Sequence, residues 1–222
     1  MKHKLIPIRN IHNFDNKTME SRSKKFYEDI KQRRTVRDFS EQSVSKSIIN
    51  NCILSAGTAP SGANMQPWHF AISGRSDIRK RIREQAEKEE KEFYKSKASK
   101  EWLKALEPLG TNYSKPFLET APYLICIFVK NYGLLSDGSR VKHYYATESV
   151  GIATGILITA LHNAGLSTLT HTPSPMRFLN KIFKRPDNER PFLLLVTGFA
   201  DKKAKVPDIE KFPLEKISTT IS

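Results

Sequence analysis

The chain has little cysteine, and what it lacks narrows the chemistry open to it. Among its 222 residues only Cys52 and Cys126 are cysteines, with no CxxC pair and no histidine at metal-ligand spacing. A disulfide framework and a structural zinc site are thereby excluded, leaving two reduced core thiols and no metal. No run of apolar residues is long enough to span a bilayer: the longest, 150–161, is broken by Gly and Thr. The N-terminus has no apolar signal-peptide core, so a soluble, cytoplasmic protein with no membrane partner is expected. Also missing are a GxGxxG turn, a Walker loop, an HExxH and a Gly-x-Ser-x-Gly elbow. Dinucleotide or nucleotide binding of those kinds, zinc proteolysis and elbow-type hydrolysis lose their support.

What is present suits a folded domain, at 38% hydrophobic and 27% charged residues. Acid is scarcer than base, giving a formal net charge of +14. A basic nucleic-acid-binding or adaptor protein would need that charge on one face. Between Arg75 and Lys115 the cations instead alternate with acids, as in Glu87-Lys88-Glu89-Glu90-Lys91-Glu92, the mark of a solvated helix. A small anionic ligand accounts for the charge equally well, and no nucleic-acid partner is expected.

Apolar periodicity predicts helices over 23–32, from Ser43 or Ser45 to Ala56, over 77–94, around 102–106, and over 144–164. Strands are predicted over 68–73, 123–129, 166–172 and 192–199. Residues 1–22 read as a flexible arm, 23–222 as one α+β domain, and about 204–222 as an extended C-terminal arm. Gly151 and Gly155 share one face of the apolar helix. Tight packing inside one subunit and a helix at the centre of a dimer both explain them.

Four clusters are candidates for chemistry, each with a bland alternative. Arg33 and Arg37 are four apart, so on a helical turn their guanidinium groups would converge on a phosphate; a solvated helix end explains them too. Pro60-Ser61-Gly62-Ala63-Asn64 offers small residues whose backbone N–H groups suit a flat ligand, or an ordinary turn. Glu90 and Tyr94 share a helix face, and with Lys115 they would match the ammonium and carboxylate of a free amino acid. A solvated acidic face with an unrelated lysine is the plainer view. Thr170-His171-Thr172-Pro173 ends a strand, where a hydroxyl could reach a cofactor nitrogen or merely cap the strand.

Together these pieces resemble the nitroreductase superfamily of FMN proteins, and within it the iodotyrosine deiodinase-like subgroup. The likeness runs in one order over roughly residues 25–217. It rests on Arg33-Arg34-Thr35-Val36-Arg37-Asp38-Phe39-Ser40, Ala59-Pro60-Ser61-Gly62-Ala63-Asn64-Met65-Gln66-Pro67-Trp68, Thr111-Asn112, Asn163-Ala164-Gly165-Leu166 and Val206-Pro207-Asp208. The resemblance implies a mixed, mainly antiparallel sheet flanked by helices and built as an intertwined homodimer with noncovalent FMN between subunits. Carried over by position, Arg33, Arg34 and Arg37 bind the flavin phosphate and ribityl region with Thr35 beside them. Lys211 stands where the family usually has an arginine. Pro60, Ser61 and Gly62 border the flavin from the partner subunit, and Thr170, His171 and Thr172 line it, the Thr172 hydroxyl bonding N5. Glu90, Tyr94 and Lys115 clamp a halotyrosine zwitterion under a lid of about 88–116, and the Ala63 N–H holds its phenolate. The implied activity is reductive dehalogenation. A broader NAD(P)H-dependent nitroreductase, with NAD(P)H as the reductant, is the alternative on the same scaffold.

Overall fold

In the computed structural model, which describes residues 5–8 and 12–221, the first regular element is helix α1, Asn16–Ile30. It begins well before the expected start at Ser23. The reason is a cap: the Asp15 carboxylate accepts the Thr18 N–H at 2.6 Å, satisfying a donor that the helix itself leaves free. The lead expected over 1–22 is therefore helical from Asn16, while its residues 1–4 and 9–11 lie outside the described residues. Chain up to Arg33 forms one unit and Arg34–Ser222 a second, and α1 buries none of its residues within the first.

The second unit carries the remaining elements. Helix α2 (Lys46–Gly57) takes Ser45 as its cap, and a loop with one turn of tight helix leads into strand β1 (Trp68–Ser73). Helix α3 (Ser76–Glu92) runs into a wider turn over Phe93–Lys97, followed by α4 (Lys100–Leu106) and the single turn α5 (Phe117–Thr120). Strand β2 (Tyr123–Lys130) is followed by a small hairpin of β3 (Tyr132–Leu134) and β4 (Arg140–Lys142). Then come α6 (Ala146–Asn163), β5 (Ser167–His171), α7 (Phe178–Ile182), β6 (Glu189–Gly198) and α8 (Leu214–Ile217). The hairpin, α5 and α7 were not anticipated. Nor was α8, which interrupts the C-terminal arm.

The sheet has the order β1-β2-β6-β5, with every neighbouring pair antiparallel. An isolated parallel bridge of Thr35 to Thr168 lies outside the named strands, against β5. Because side chains alternate across a strand, β2 and β6 feed two cores at once. Ile125, Ile127, Val129 and Leu195 meet α6 and α2 through Leu157, Leu161 and Ile49. Leu124, Cys126, Phe128 and Val196 meet α3, α5 and α7 through Ile82, Leu118 and Leu179. A strand covered on both faces is apolar throughout, which is why β2 reads as an unbroken run. Both cysteines are free and buried.

Helix α6 is only partly covered. A Cβ added at Gly151 or Gly155 would meet nothing within 4 Å, and Ile152 between them is exposed. Tight packing inside one subunit is therefore not what these glycines serve. The helix ends as its sequence implies, with Gly165 in the left-handed region at φ +81° and its N–H donating to His162 O. No helix among the described residues is long and apolar enough to cross a membrane.

Candidate active site

Lys115 is 3% exposed, which is unusual for an ammonium and demands partners. It has them on every side. Its Nζ lies 3.2 Å from Glu90 Oε2, donates to Thr111 Oγ1 at 3.1 Å and to the Asn112 carbonyl, and sits 5.7 Å from the Tyr94 ring centre. Its backbone N–H donates to Glu87 Oε1 at 2.7 Å. Burial lowers the lysine pKa, with Glu90 the main influence pulling it back up.

Glu90 and Tyr94 face Lys115 from α3 and the wide turn that continues it. Wide turns of this kind recur at functional sites. The Tyr94 hydroxyl donates to the Thr111 carbonyl at 3.4 Å, and burial raises its pKa. Phe93 meets Trp102 edge-on at 5.3 Å, fastening α4 against the end of α3. The plain view of Glu90 and Lys115, a solvated acidic face with an unrelated lysine, is thus replaced by a buried ion pair.

These groups wall a cavity of about 380 Å³, within the range of small-molecule sites. Arg37 and the end of β5 complete its lining. Thr170 and Thr172 are exposed and His171 is buried, as alternation along a strand requires. His171 packs against the edge of Phe117 at 5.8 Å, and its Nε2 has no hydrogen-bond partner. Burial, then the charges of Lys115 and Arg37, lower its pKa to about 3, so the ring is neutral. Arg37 is itself half-buried and its pKa is lowered by burial, with Tyr94 and Asp38 opposing.

Not every anticipated residue lines this cavity. Arg34 donates to the Pro207 carbonyl, tying the C-terminal arm, and Thr35 is occupied in its bridge. The helical turn expected to converge Arg33 and Arg37 does not form. Helix α1 ends at Ile30, and the Val36 N–H bonds Thr168 O at 3.2 Å, holding the segment extended. Pro60, Ser61, Gly62 and Ala63 lie outside the cavity: a Cβ on Gly62 would fall 2.7 Å from the Tyr144 carbonyl oxygen. Ala63 is at φ 49°, and the Ser61 hydroxyl accepts the Gln66 N–H at 3.0 Å. Lys211 is exposed. Conversely, Phe93, Trp102 and Phe117 were missed, though bulky aromatics inside a Lys- and Glu-rich stretch were a readable signal. Thr111, which sequence alone gives no role, links Tyr94 and Lys115.

The donors converging here suit one kind of ligand. An arginine, two threonine hydroxyls and a buried, unpartnered imidazole nitrogen match a flat ring with acceptor atoms along its rim, as in FMN. The Lys115–Glu90 pair beyond them offers one cation and one anion to a second, smaller molecule.

Known proteins resemble the chain along most of its length. The family model described as "Nitroreductase family" matches residues 30–199. An iodotyrosine deiodinase of Haliscomenobacter hydrossis is 51% identical over 198 residues, covering 89% of each chain. Iodotyrosine deiodinase 1 of Homo sapiens is 41% identical over 219 residues, 97% of this chain and 75% of that one. Among solved structures, oxidized iodotyrosine deiodinase bound to FMN and 3-iodo-L-tyrosine superposes with a TM-score of 0.71. It is 32% identical and covers 85% of this chain and 97% of its own.

Proposed function

We propose that this chain, which belongs to the nitroreductase family, is an FMN-dependent oxidoreductase that reductively dehalogenates halotyrosines. The observation that carries the reading is the buried Lys115–Glu90 pair with Tyr94 beside it. A substrate without charge would gain nothing from this pair. An amino acid matches it, its carboxylate toward Lys115 and its ammonium toward Glu90 and the Tyr94 hydroxyl. Replacing carbon–halogen by carbon–hydrogen consumes an electron pair and a proton and releases halide. FMN, when bound and reduced by an external donor such as NAD(P)H or dithionite, would supply the electrons.

The protein's own part is binding, orientation and exclusion of water. Arg33, Arg34, Arg37 and Lys211 would hold the flavin phosphate and ribityl chain, with Thr35 alongside, and Arg37 already lies in the cavity. Thr170, His171 and Thr172 would line the ring, the Thr172 hydroxyl donating to N5. The Ala63 N–H would hold the substrate phenolate. The segment 88–116 would act as a lid, shutting out water and fixing the ring for reaction.

The site is read as one shared by two copies, with Pro60, Ser61 and Gly62 supplied by the partner. Two observations support this: those residues lie outside the cavity of their own chain, and α6 leaves Gly151, Ile152 and Gly155 uncovered.

The test is direct. Flavin-loaded protein, reduced with dithionite without oxygen, should release iodide from 3-iodo-L-tyrosine. No iodide, alongside rapid NAD(P)H-driven reduction of nitroaromatics, would favour the broader reductase. Lys115→Ala should weaken iodotyrosine binding about tenfold or more, the scale of a lost charged hydrogen bond, and leave FMN affinity unchanged. Unaltered ligand affinity would refute the clamp.

A further inference from the structure

Behind the cavity lies a second set of charges that the clamp does not use. Glu87 is on α3, nearly one turn before Glu90. Its Oε1 accepts both the Lys115 backbone N–H at 2.7 Å and the Arg83 Nε–H at 2.8 Å. Arg83 Nη1 in turn donates to Glu119 Oε2 at 2.7 Å, on α5 just beyond Lys115. None of the three lines the cavity. Burial works to raise the Glu87 pKa, but the Arg83 and Lys115 donors outweigh it and the net shift is downward. Arg83 moves the other way, raised by its hydrogen bonds to Glu87 and Glu119.

The consequence is geometric. Lys115 and Glu90 are joined through the chain by the wide turn, α4 and a loop, a long and indirect path. Glu87 shortens it to a single hydrogen bond, from the α3 turn carrying Glu90 to the backbone of Lys115. Both poles of the clamp are then referred to one helix. We infer that Glu87 is a positioning residue that fixes the spacing of Glu90 and Lys115, with Arg83 and Glu119 holding its carboxylate in place. This rests on the halotyrosine reading and deepens it. The chain between Phe93 and Ser114 can rearrange over the ligand while the two charged posts keep their separation, which selects a ligand with ammonium and carboxylate on one carbon.

The experiment is a double-mutant cycle on flavin-loaded protein, measuring KM and kcat for iodide release and, separately, FMN affinity. Glu87→Ala should raise KM for 3-iodo-L-tyrosine about tenfold, with kcat changed less than twofold and FMN affinity unchanged. In a Lys115→Ala background the same substitution should have little further effect, since its action passes through Lys115. Glu87→Gln, which keeps an acceptor for the Lys115 N–H, should recover part of the loss. Additive effects, or a parallel loss of FMN and kcat, would mean a merely structural ion pair and overturn the assignment. Should Glu87→Ala fail to fold, Glu119→Gln replaces it, with a rise in KM of about threefold expected and no rise counting against the proposal. Wild-type protein that binds 3-iodo-L-tyrosine while the cycle fails sinks this inference alone. Wild type that does not bind it removes the halotyrosine reading as well.

Discussion

At the scale of single residues, the site joins a buried ammonium to a buried neutral imidazole. His171 keeps its pKa near 3, whereas an ordinary histidine titrates near 6.5. Between those values the unfolded chain binds a proton that the folded chain refuses, so stability falls as pH drops from 6.5 toward 3. The loss has an upper limit of about 1.4 kcal/mol per pH unit. His171→Gln, at equal flavin loading, should flatten this acid-side slope in urea unfolding measured at pH 7 and pH 5. Equal slopes in variant and wild type would show that other groups set it. Sequence spacing was enough to place Glu90 and Tyr94 on one face, because four residues make about one turn. Lys115 was grouped with them, but spacing alone could not require its meeting with Glu90, which depends on how the chain from Phe93 to Ser114 folds back. The orphaned Nε2 of His171 was equally out of reach, being a property of its surroundings and not of its neighbours in sequence.

Among the elements, the most legible were those with a covered apolar face. Strand β1 falls over Trp68–Ser73 as expected, and β2 and α6 lie close to their expected bounds. The hairpin of β3 and β4 was not read despite Asp137-Gly138 in its turn, where Gly138 takes φ +82°. Its strands are short and largely solvent-exposed, so no alternation announces them. Helix α1 begins ahead of its apolar periodicity because its first turns carry a single apolar residue, Met19, and a cap at Asp15 rather than a buried face starts it. One close approach between elements yields a sharp expectation. Gly198, at the end of β6, leaves room for Pro122 before β2: an added Cβ would lie 2.4 Å from the proline Cδ. A proline ring cannot swing aside, so Gly198→Ala should cost about 1–3 kcal/mol as an overpacked contact. Urea denaturation checks this, and an unchanged midpoint would show that the strand shifts freely.

For the whole molecule, the uncovered stripe on α6 and the exposed Ile209, Phe212, Leu214 and Ile217 of the C-terminal arm are the surfaces a second copy would cover. Gly155→Arg should therefore give monomers by light scattering and cost the protein its flavin, since Pro60, Ser61 and Gly62 of each proposed site would come from the partner. A dimer with full flavin content would contradict the shared site. No sequence pattern could decide whether these glycines pack within one chain; the emptiness around Gly151 and Gly155 argues against it. The bond from Arg34 to the Pro207 carbonyl has a consequence at this scale too. The guanidinium next to the proposed phosphate site is also a latch for the last stretch of chain. Seating the cofactor and seating the tail therefore draw on one side chain, and by reciprocity whatever effect one has on the other is returned in equal measure. A tail that loosens when the cofactor leaves would mark empty protein for proteases, making survival in the cell a readout of flavin supply.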